Sequence, residues 1–237
     1  MEWSEEGFVL SARRHGESDI VLSLLTREHG RHAGLVKGGG SRRAAGLYEP
    51  GNRLKAVWRA RLSDHLGNFT CEGMAQTAAR LLDEPLRLAA LTAAAAVAEA
   101  ALPEREPHSR AYDGFAALID ALLSNDDTIA WAARYVHWEL ALLSEIGFGL
   151  DLASCAVSGD TAGLSFVSPN SGRAVSSRAA EPYRDRLLPL PAFLGGGAAD
   201  LPSICQGLAL TGSFLERHAF RSVPAARSRL VARLQRA

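Results

Sequence analysis

The chain has 26 basic residues, and only two of them are lysines. One of these, Lys37, stands directly before Gly38, Gly39 and Gly40, and Arg42 and Arg43 follow one residue later. Cations beside a glycine run are the ingredients of a phosphate site. Glycine lets backbone approach an anion closely and offers it N–H donors. Arginine adds charge, forked hydrogen bonds and a flat face for bases. The order of the residues decides which phosphate is meant. A P-loop requires Gly-Lys followed by Ser or Thr after its first glycine. Here the lysine precedes the glycines, and no Gly-Lys-Ser/Thr occurs anywhere. A dinucleotide fingerprint requires a helix after its glycines, whereas this run leads towards the turn residues Tyr48-Glu-Pro-Gly51. A bound nucleotide loses support, and a polynucleotide backbone remains.

Other chemistry is scarce. No Gly-x-Ser-x-Gly elbow is present and no cysteine sits beside a histidine, so the chain reads as non-enzymatic. The histidines are scattered. His29 and His32 flank a turn without the carboxylate or cysteine company of a zinc site, and they read as surface or core-edge residues. Cys71, Cys155 and Cys205 are far apart and odd in number, which predicts reduced thiols and a cytoplasmic protein. The N-terminus is acidic with no apolar run behind it, and no stretch is apolar enough to span a bilayer, so neither a secretory signal nor a membrane partner is expected.

The elements that must position the cations follow from periodicity. Short apolar runs at Phe8–Leu10, Asp19–Leu25 and His32–Val36 are separated by turn material and read as strands. Leu54, Ala56, Trp58 and Ala60 alternate with Lys55, Val57, Arg59 and Arg61, giving a strand with one apolar and one mostly basic face. Phe69–Glu72 reads as the returning strand. Five strands in residues 1–80 predict a small closed barrel of the OB-fold kind. Its strand ends and loops would carry Arg13, Arg14, Arg27, Arg31, Lys37, Arg42 and Arg43 together, as a surface for a polynucleotide backbone. Trp58 and Phe69 are either stacking groups or barrel core, with core favoured for Trp58.

Residues 81–237 predict a mainly α-helical domain, so the fold class is α+β. Helices are expected over Leu82–Leu102, around Phe115–Leu122, and after a cap at Asp126 or Asp127, where Trp131, Tyr135, Trp138 and Leu142 form a core stripe. A small inserted hairpin module spans residues 151–177. Helices resume near Glu181–Leu188, at Leu201–Phe220 and after Pro224, where Arg229, Arg233 and Arg236 share one stripe. The formal net charge of zero hides an uneven distribution: 12 basic and 9 acidic residues in 1–80, 4 and 13 in 81–160, and 10 and 4 in 161–237. A neutral chain can thus offer basic surfaces at both ends.

An ordered set of short stretches resembles the bacterial recombination-mediator family RecO. They are Gly16–Val21, Leu25–Gly30, Leu35–Gly38 with Arg42 and Arg43, Leu140–Leu143, Gly147–Leu152 with Cys155, Phe166–Pro169, Leu215–His218 and Ala226–Leu230. The resemblance implies binding of single- and double-stranded DNA and annealing of complementary strands without ATP. It also implies work with RecR to load RecA on DNA coated by the single-stranded-DNA-binding protein, whose acidic C-terminal tail docks on the helical domain; Arg227 and Arg229 are the residues assigned to that tail. Some family members hold zinc through four cysteines in the inserted module. Here only Cys155 remains, with Ser158 at the second position and Ser176 and Ser177 near the later pair, so no cofactor is expected. Two other readings stay open: an adaptor that grips acidic proteins without touching DNA, and an RNA-binding OB protein.

Overall fold

Alternation closes the first strands on themselves. The computed structural model describes residues 1–237. Its strands β1 (Glu2–His15), β2 (Asp19–Thr26), β3 (Arg31–Val36), β4 (Arg53–Arg59) and β5 (Asn68–Ala75) form a closed barrel in the order β1-β2-β3-β5-β4. All pairings are antiparallel except β3 with β5. This is the five-stranded OB barrel that the strand count predicts. Inward-facing Val9, Leu22, Leu24, Leu54, Ala56, Trp58 and Phe69 fill it. Each large side chain so buried stabilises the barrel by roughly 1.5–3 kcal/mol. Trp58 and Phe69 are therefore core, and the Trp58 indole N–H donates to the Leu66 carbonyl at 3.0 Å.

The basic face of β4 is largely neutralised by its neighbour. In the antiparallel register Arg59 lies opposite Glu2 and Lys55 opposite Glu6. Arg59 pairs with Glu2 at 2.8 Å and Arg53 with Glu6. Alternating acids on β1 thus answer alternating bases on β4.

After β3 the chain makes a single turn of helix, α1 (Arg42–Ala45), where the sequence predicts only a loop. A short helix α2 (Thr77–Arg80) precedes α3 (Pro85–Ala101). Helix α3 starts at Pro85 rather than Leu82, because proline suits the first helical turn, where its missing N–H is not needed. It lies against β1, and its alanines allow close approach. Helix α4 (Ser109–Leu123) brings Tyr112 and Phe115 to Phe8, with ring centroids 5.2 and 5.5 Å apart. The barrel and these helices make one compact unit, Met1–Ser124 with Pro224–Leu230. The sequence divides the chain near residue 80; the packing divides it at Ser124, since the outer face of the barrel is apolar and takes two helices as its cover.

The second unit is Asn125–Val223 with Val231–Ala237. Helix α5 (Thr128–Glu145) is capped by Asp127, whose carboxylate accepts from the Ala130 N–H at 2.8 Å. Trp131, Tyr135, Trp138 and Leu142 are buried. Strands β6 (Leu164–Val167) and β7 (Ala174–Ser176) form the expected hairpin, extended by the short β8 (Leu188–Pro189) in the order β7-β6-β8, and α6 (Ser177–Ala180) follows β7. The helix predicted over Glu181–Leu188 is instead a 3₁₀ turn, Glu181–Arg186, running into β8. Pro182 stops α6 from running on, and Pro189 and Pro191 keep the chain extended beyond the turn. Helix α7 (Leu201–His218) opens with a capping box between Asp200 and Ser203 and packs on α5. Helix α8 (Ala225–Leu234) ends the chain, with Leu230 and Leu234 buried. No helix is long and apolar enough to cross a membrane.

Candidate nucleic-acid interface

The register sorts the seven barrel cations into two groups. Arg13 and Arg14 pair with Val21 and Ile20, and Ile20 pairs in turn with Val36, the last residue of β3. Lys37, Arg42 and Arg43 follow immediately. These five cations share one end of the barrel. Arg27 and Arg31 belong to the β2–β3 turn, at the other end of the same strands. They are also engaged. Arg27 makes a two-pronged contact with Asp113 on α4, at 3.1 and 3.0 Å, and Arg31 donates to the Leu102 carbonyl at 2.8 Å. Asp113 pushes the Arg27 pKa up, and Arg27 pulls that of Asp113 down. These two arginines hold helices to the barrel and do not join the cluster.

Within the cluster the residues differ. Lys37, Arg42 and Arg43 are exposed and form no salt bridge, although the Asp19 carboxylate lies near enough to Lys37 to feel its charge. Arg13 reaches Glu99 on α3 at 3.0 Å, a pair that also accepts the Ser11 hydroxyl. With the Arg13 side chain 72% exposed, such a pair is weak and can be exchanged for phosphate. Arg14 leans over the barrel mouth and donates to the Gly40 carbonyl at 3.4 Å. A cleft of about 330 Å³ lies there, between Arg14, Ile20, Gly39, Gly40, Tyr48 and Pro50.

The glycines have a different task from the one the sequence suggests. Their N–H groups are not free for phosphate. Gly38 N–H donates to the Asp19 carboxylate at 2.8 Å, Gly40 N–H to Ser18 O at 2.8 Å, and Gly39 N–H to Val36 O at 3.4 Å. The Gly38 contact is the main reason the Asp19 carboxyl sits below its usual range. A side chain on Gly39 would meet Ile20 at 2.8 Å, and one on Gly40 would meet Ser18 O at 3.0 Å. The run is a tight seam against the β1–β2 hairpin. It fixes Lys37 on one side and α1 on the other, so any anion is met by side chains.

Beside the β2–β3 turn the structure holds a second feature that sequence reasoning passed over. Trp3 stacks on His29 at 4.2 Å and 10°, and both Trp3 and Trp58 meet the His32 ring edge-on. His29 does have a carboxylate: its Nδ1 lies 2.7 Å from Glu5. The signal available in the sequence was Trp3 in Glu2-Trp-Ser-Glu5, an aromatic in the otherwise polar start of β1.

Cys155 is enclosed by serines. Its thiol contacts Ser176 Oγ at 3.5 Å and accepts from Ser176 N–H at 3.3 Å. Hydrogen bonds from Ser158 first, and then Ser176, pull the thiol down to about 6. One thiolate among hydroxyls lacks the donor set of a tetrahedral zinc site. No group of three or more His, Cys, Asp or Glu converges as a metal site. On α8, Arg229 is exposed but Arg227 is only 5% exposed. Arg227 falls on the Leu230 side of the helix, so it is not presented to a tail docking from solvent, and the assigned pair is reduced to Arg229.

Comparison with known proteins agrees with this architecture along the whole chain. Residues 1–75 match the family model for the N-terminal part of recombination protein O, and residues 82–227 match that for its C-terminal part. The DNA repair protein RecO of Rhodospirillum centenum is 55% identical over 244 residues, covering 100% of this chain and 96% of that protein. Those of Rhodospirillum rubrum and Cereibacter sphaeroides are 48% and 49% identical, with coverage of 97% and 100% of their lengths. A barrel, helices and hairpin module in this order, matched end to end at about half of all positions, mean that the chain belongs to the RecO family.

Proposed function

We propose that this protein is a cytoplasmic, non-enzymatic DNA-repair factor that binds DNA through the barrel end bearing Arg13, Arg14, Lys37, Arg42 and Arg43, and anneals complementary strands. The observation that carries the proposal is the grouping of five cations at one barrel mouth, three of them exposed and outside any salt bridge. Two DNA strands repel one another through their phosphates. A surface that neutralises phosphate on both lowers that barrier, and base pairing supplies the free energy, so no nucleotide is consumed. Contacts from side chains to phosphate carry no sequence information, so binding is tolerant of sequence and falls steeply with salt. In the cell this activity would act with RecR to load RecA on single strands coated by the single-stranded-DNA-binding protein, whose tail is met by the helical part of the chain, with Arg229 as a candidate contact.

The test is strand annealing without ATP, on bare and on coated DNA, with affinity measured over a salt series. The double variant Arg42→Glu/Arg43→Glu is expected to lower affinity and to reduce the slope of log K against log salt by about 2, one for each phosphate that is no longer neutralised. Both residues are exposed, so circular dichroism should be unchanged. Unchanged affinity and slope in the folded variant would remove the barrel mouth from DNA binding. No affinity of the wild type for DNA at low salt would favour the adaptor, and preference for RNA oligomers would favour an RNA-binding protein.

A further inference from the structure

The cavity beside the β2–β3 turn, about 410 Å³ in volume, differs from the barrel mouth in chemistry. Its walls are the rings of Trp3, His29, His32 and Trp58, and its rim carries Glu2 and Glu28 together with Arg105. Carboxylates at the rim disfavour phosphate. Aromatic faces favour a flat, uncharged, apolar-faced group. The stack is fixed before any ligand arrives. One Glu5 oxygen lies 2.7 Å from His29 Nδ1, and the other accepts the Arg27 and Glu28 N–H groups at 2.7 and 2.8 Å, so the turn presents the His29 ring parallel to Trp3.

His32 supplies the polar part. Its side chain lines the cavity, the residue is only 4% exposed, and neither ring nitrogen has a hydrogen-bond partner. A buried polar group left unpaired is costly, and a barrel core could hold an aromatic or aliphatic residue there instead. Burial keeps the imidazole neutral at physiological pH. A neutral imidazole carries one donor and one acceptor, on nitrogens that point away from each other. It can therefore exchange one hydrogen bond with either a donor or an acceptor on the edge of a nucleobase.

We propose that this cavity takes a single unstacked base of the bound strand, held against the Trp3–His29 stack, with His32 as the polar group available to its edge. The site rests on the nucleic-acid reading above and adds a second subsite to it. Strand β3 separates it from the cationic mouth by five residue steps, about 17 Å at the usual rise. That span lies within the roughly 4–16 nucleotides that one OB fold engages. Phosphates are gripped at one end and a base is parked at the other, which leaves the intervening bases free for a complementary strand.

The experiment compares a single-stranded 12-mer with a 12-mer of the same backbone lacking bases. The wild type should hold the base-bearing oligomer about tenfold more tightly, and only that oligomer should quench tryptophan emission. His29→Ala and Trp3→Ala should each lower affinity for the base-bearing oligomer by about tenfold and leave the base-free one unchanged. His29 is partly exposed, so its variant remains informative even where Trp3→Ala unfolds. Arg42→Glu/Arg43→Glu should weaken both oligomers alike. If the His29 and Trp3 variants keep full affinity for both oligomers, or lose both equally, the base site is overturned while DNA binding at the mouth stands. If the wild type holds neither oligomer, the nucleic-acid reading itself fails.

Discussion

At the scale of single residues, His32 and Cys155 show how environment sets chemistry. Burial, followed by the charges of Arg105 and His29, holds the His32 imidazole down to about 4, against an ordinary 6.5. The unfolded chain takes up this proton as pH falls through 6.5, and the folded chain does so only near 4. Stability linked to His32 is therefore full above pH 6.5 and is lost as pH falls towards 4. Replacement by phenylalanine removes both the titration and two unpaired nitrogens. His32→Phe should be more stable than the wild type near pH 4.5, by on the order of 1–2 kcal/mol after partial screening by solvent, with a smaller difference at pH 7. Thermal melts from pH 4 to pH 7 read this directly; parallel curves for the two proteins would refute it. A gain in stability on losing His32 would also mean that the residue serves something other than the fold. Cys155 makes the opposite case, a lone thiol held among hydroxyls. Hydrogen bonds from Ser158 and Ser176 brace the turn around it. Purified protein should carry far less than one zinc per chain by elemental analysis, and EDTA should leave its melting temperature where it was. A stoichiometric zinc, or a melt lowered by the chelator, would show that other ligands complete the site.

At the scale of elements, the turns separate two uses of glycine. Gly30 has φ +63°, and a Cβ there would run into the backbone of Glu106, which no side-chain motion can relieve. Gly38 has φ +67° but faces open space. Gly38→Ala should cost about 1–2 kcal/mol, the ordinary penalty for a side chain in the left-handed region. Gly30→Ala should cost clearly more, because the β2–β3 turn must also retreat from the 104–106 segment, where Arg105 N–H donates to Arg31 O at 2.7 Å. Denaturant melts of the two variants test the order, and equal losses would contradict it. The strands were legible because period-two patterns such as Leu54-Lys-Ala-Val-Trp58 leave little choice of register. Helix α5 was legible because Asp127 caps a strong aromatic stripe. The segment after Ala180 was not, since its apolar spacing and Pro182 near its start suit a helix, while Pro189 and Pro191 keep the chain beyond it extended. Among site residues, the cations were legible as types. Their division into a free group at the mouth and a tied pair at the turn depends on Asp113 and the Leu102 carbonyl, which lie 86 and 71 residues further along the chain from their arginines. The seam formed by Gly38–Gly40 is hidden for the same reason: Ser18, Asp19 and Ile20 decide its role, and only the fold brings them there.

At the scale of the molecule, charge and packing cut the chain in different places. By charge, the first 80 residues look like a self-sufficient basic module. By packing, the barrel shares its outer surface with α3 and α4. Phe8 rests on Tyr112 and Phe115, and Arg31 holds the Leu102 carbonyl. Arg105 in turn grips the carbonyls of Ser63 and His65 at 2.6 and 2.8 Å. A fragment ending at residue 80 would expose that apolar face and leave Arg27 and Arg31 without their partners. A fragment ending at Ser124 would keep all of these interactions. The shorter piece should therefore aggregate or melt without cooperativity, and the longer one should show a single cooperative transition by circular dichroism. Since the five cations of the mouth lie wholly within residues 13–43, the longer fragment should also retain salt-sensitive DNA binding. The reverse result, a shorter fragment that melts cooperatively and binds as well as the longer one, would make the two helices dispensable.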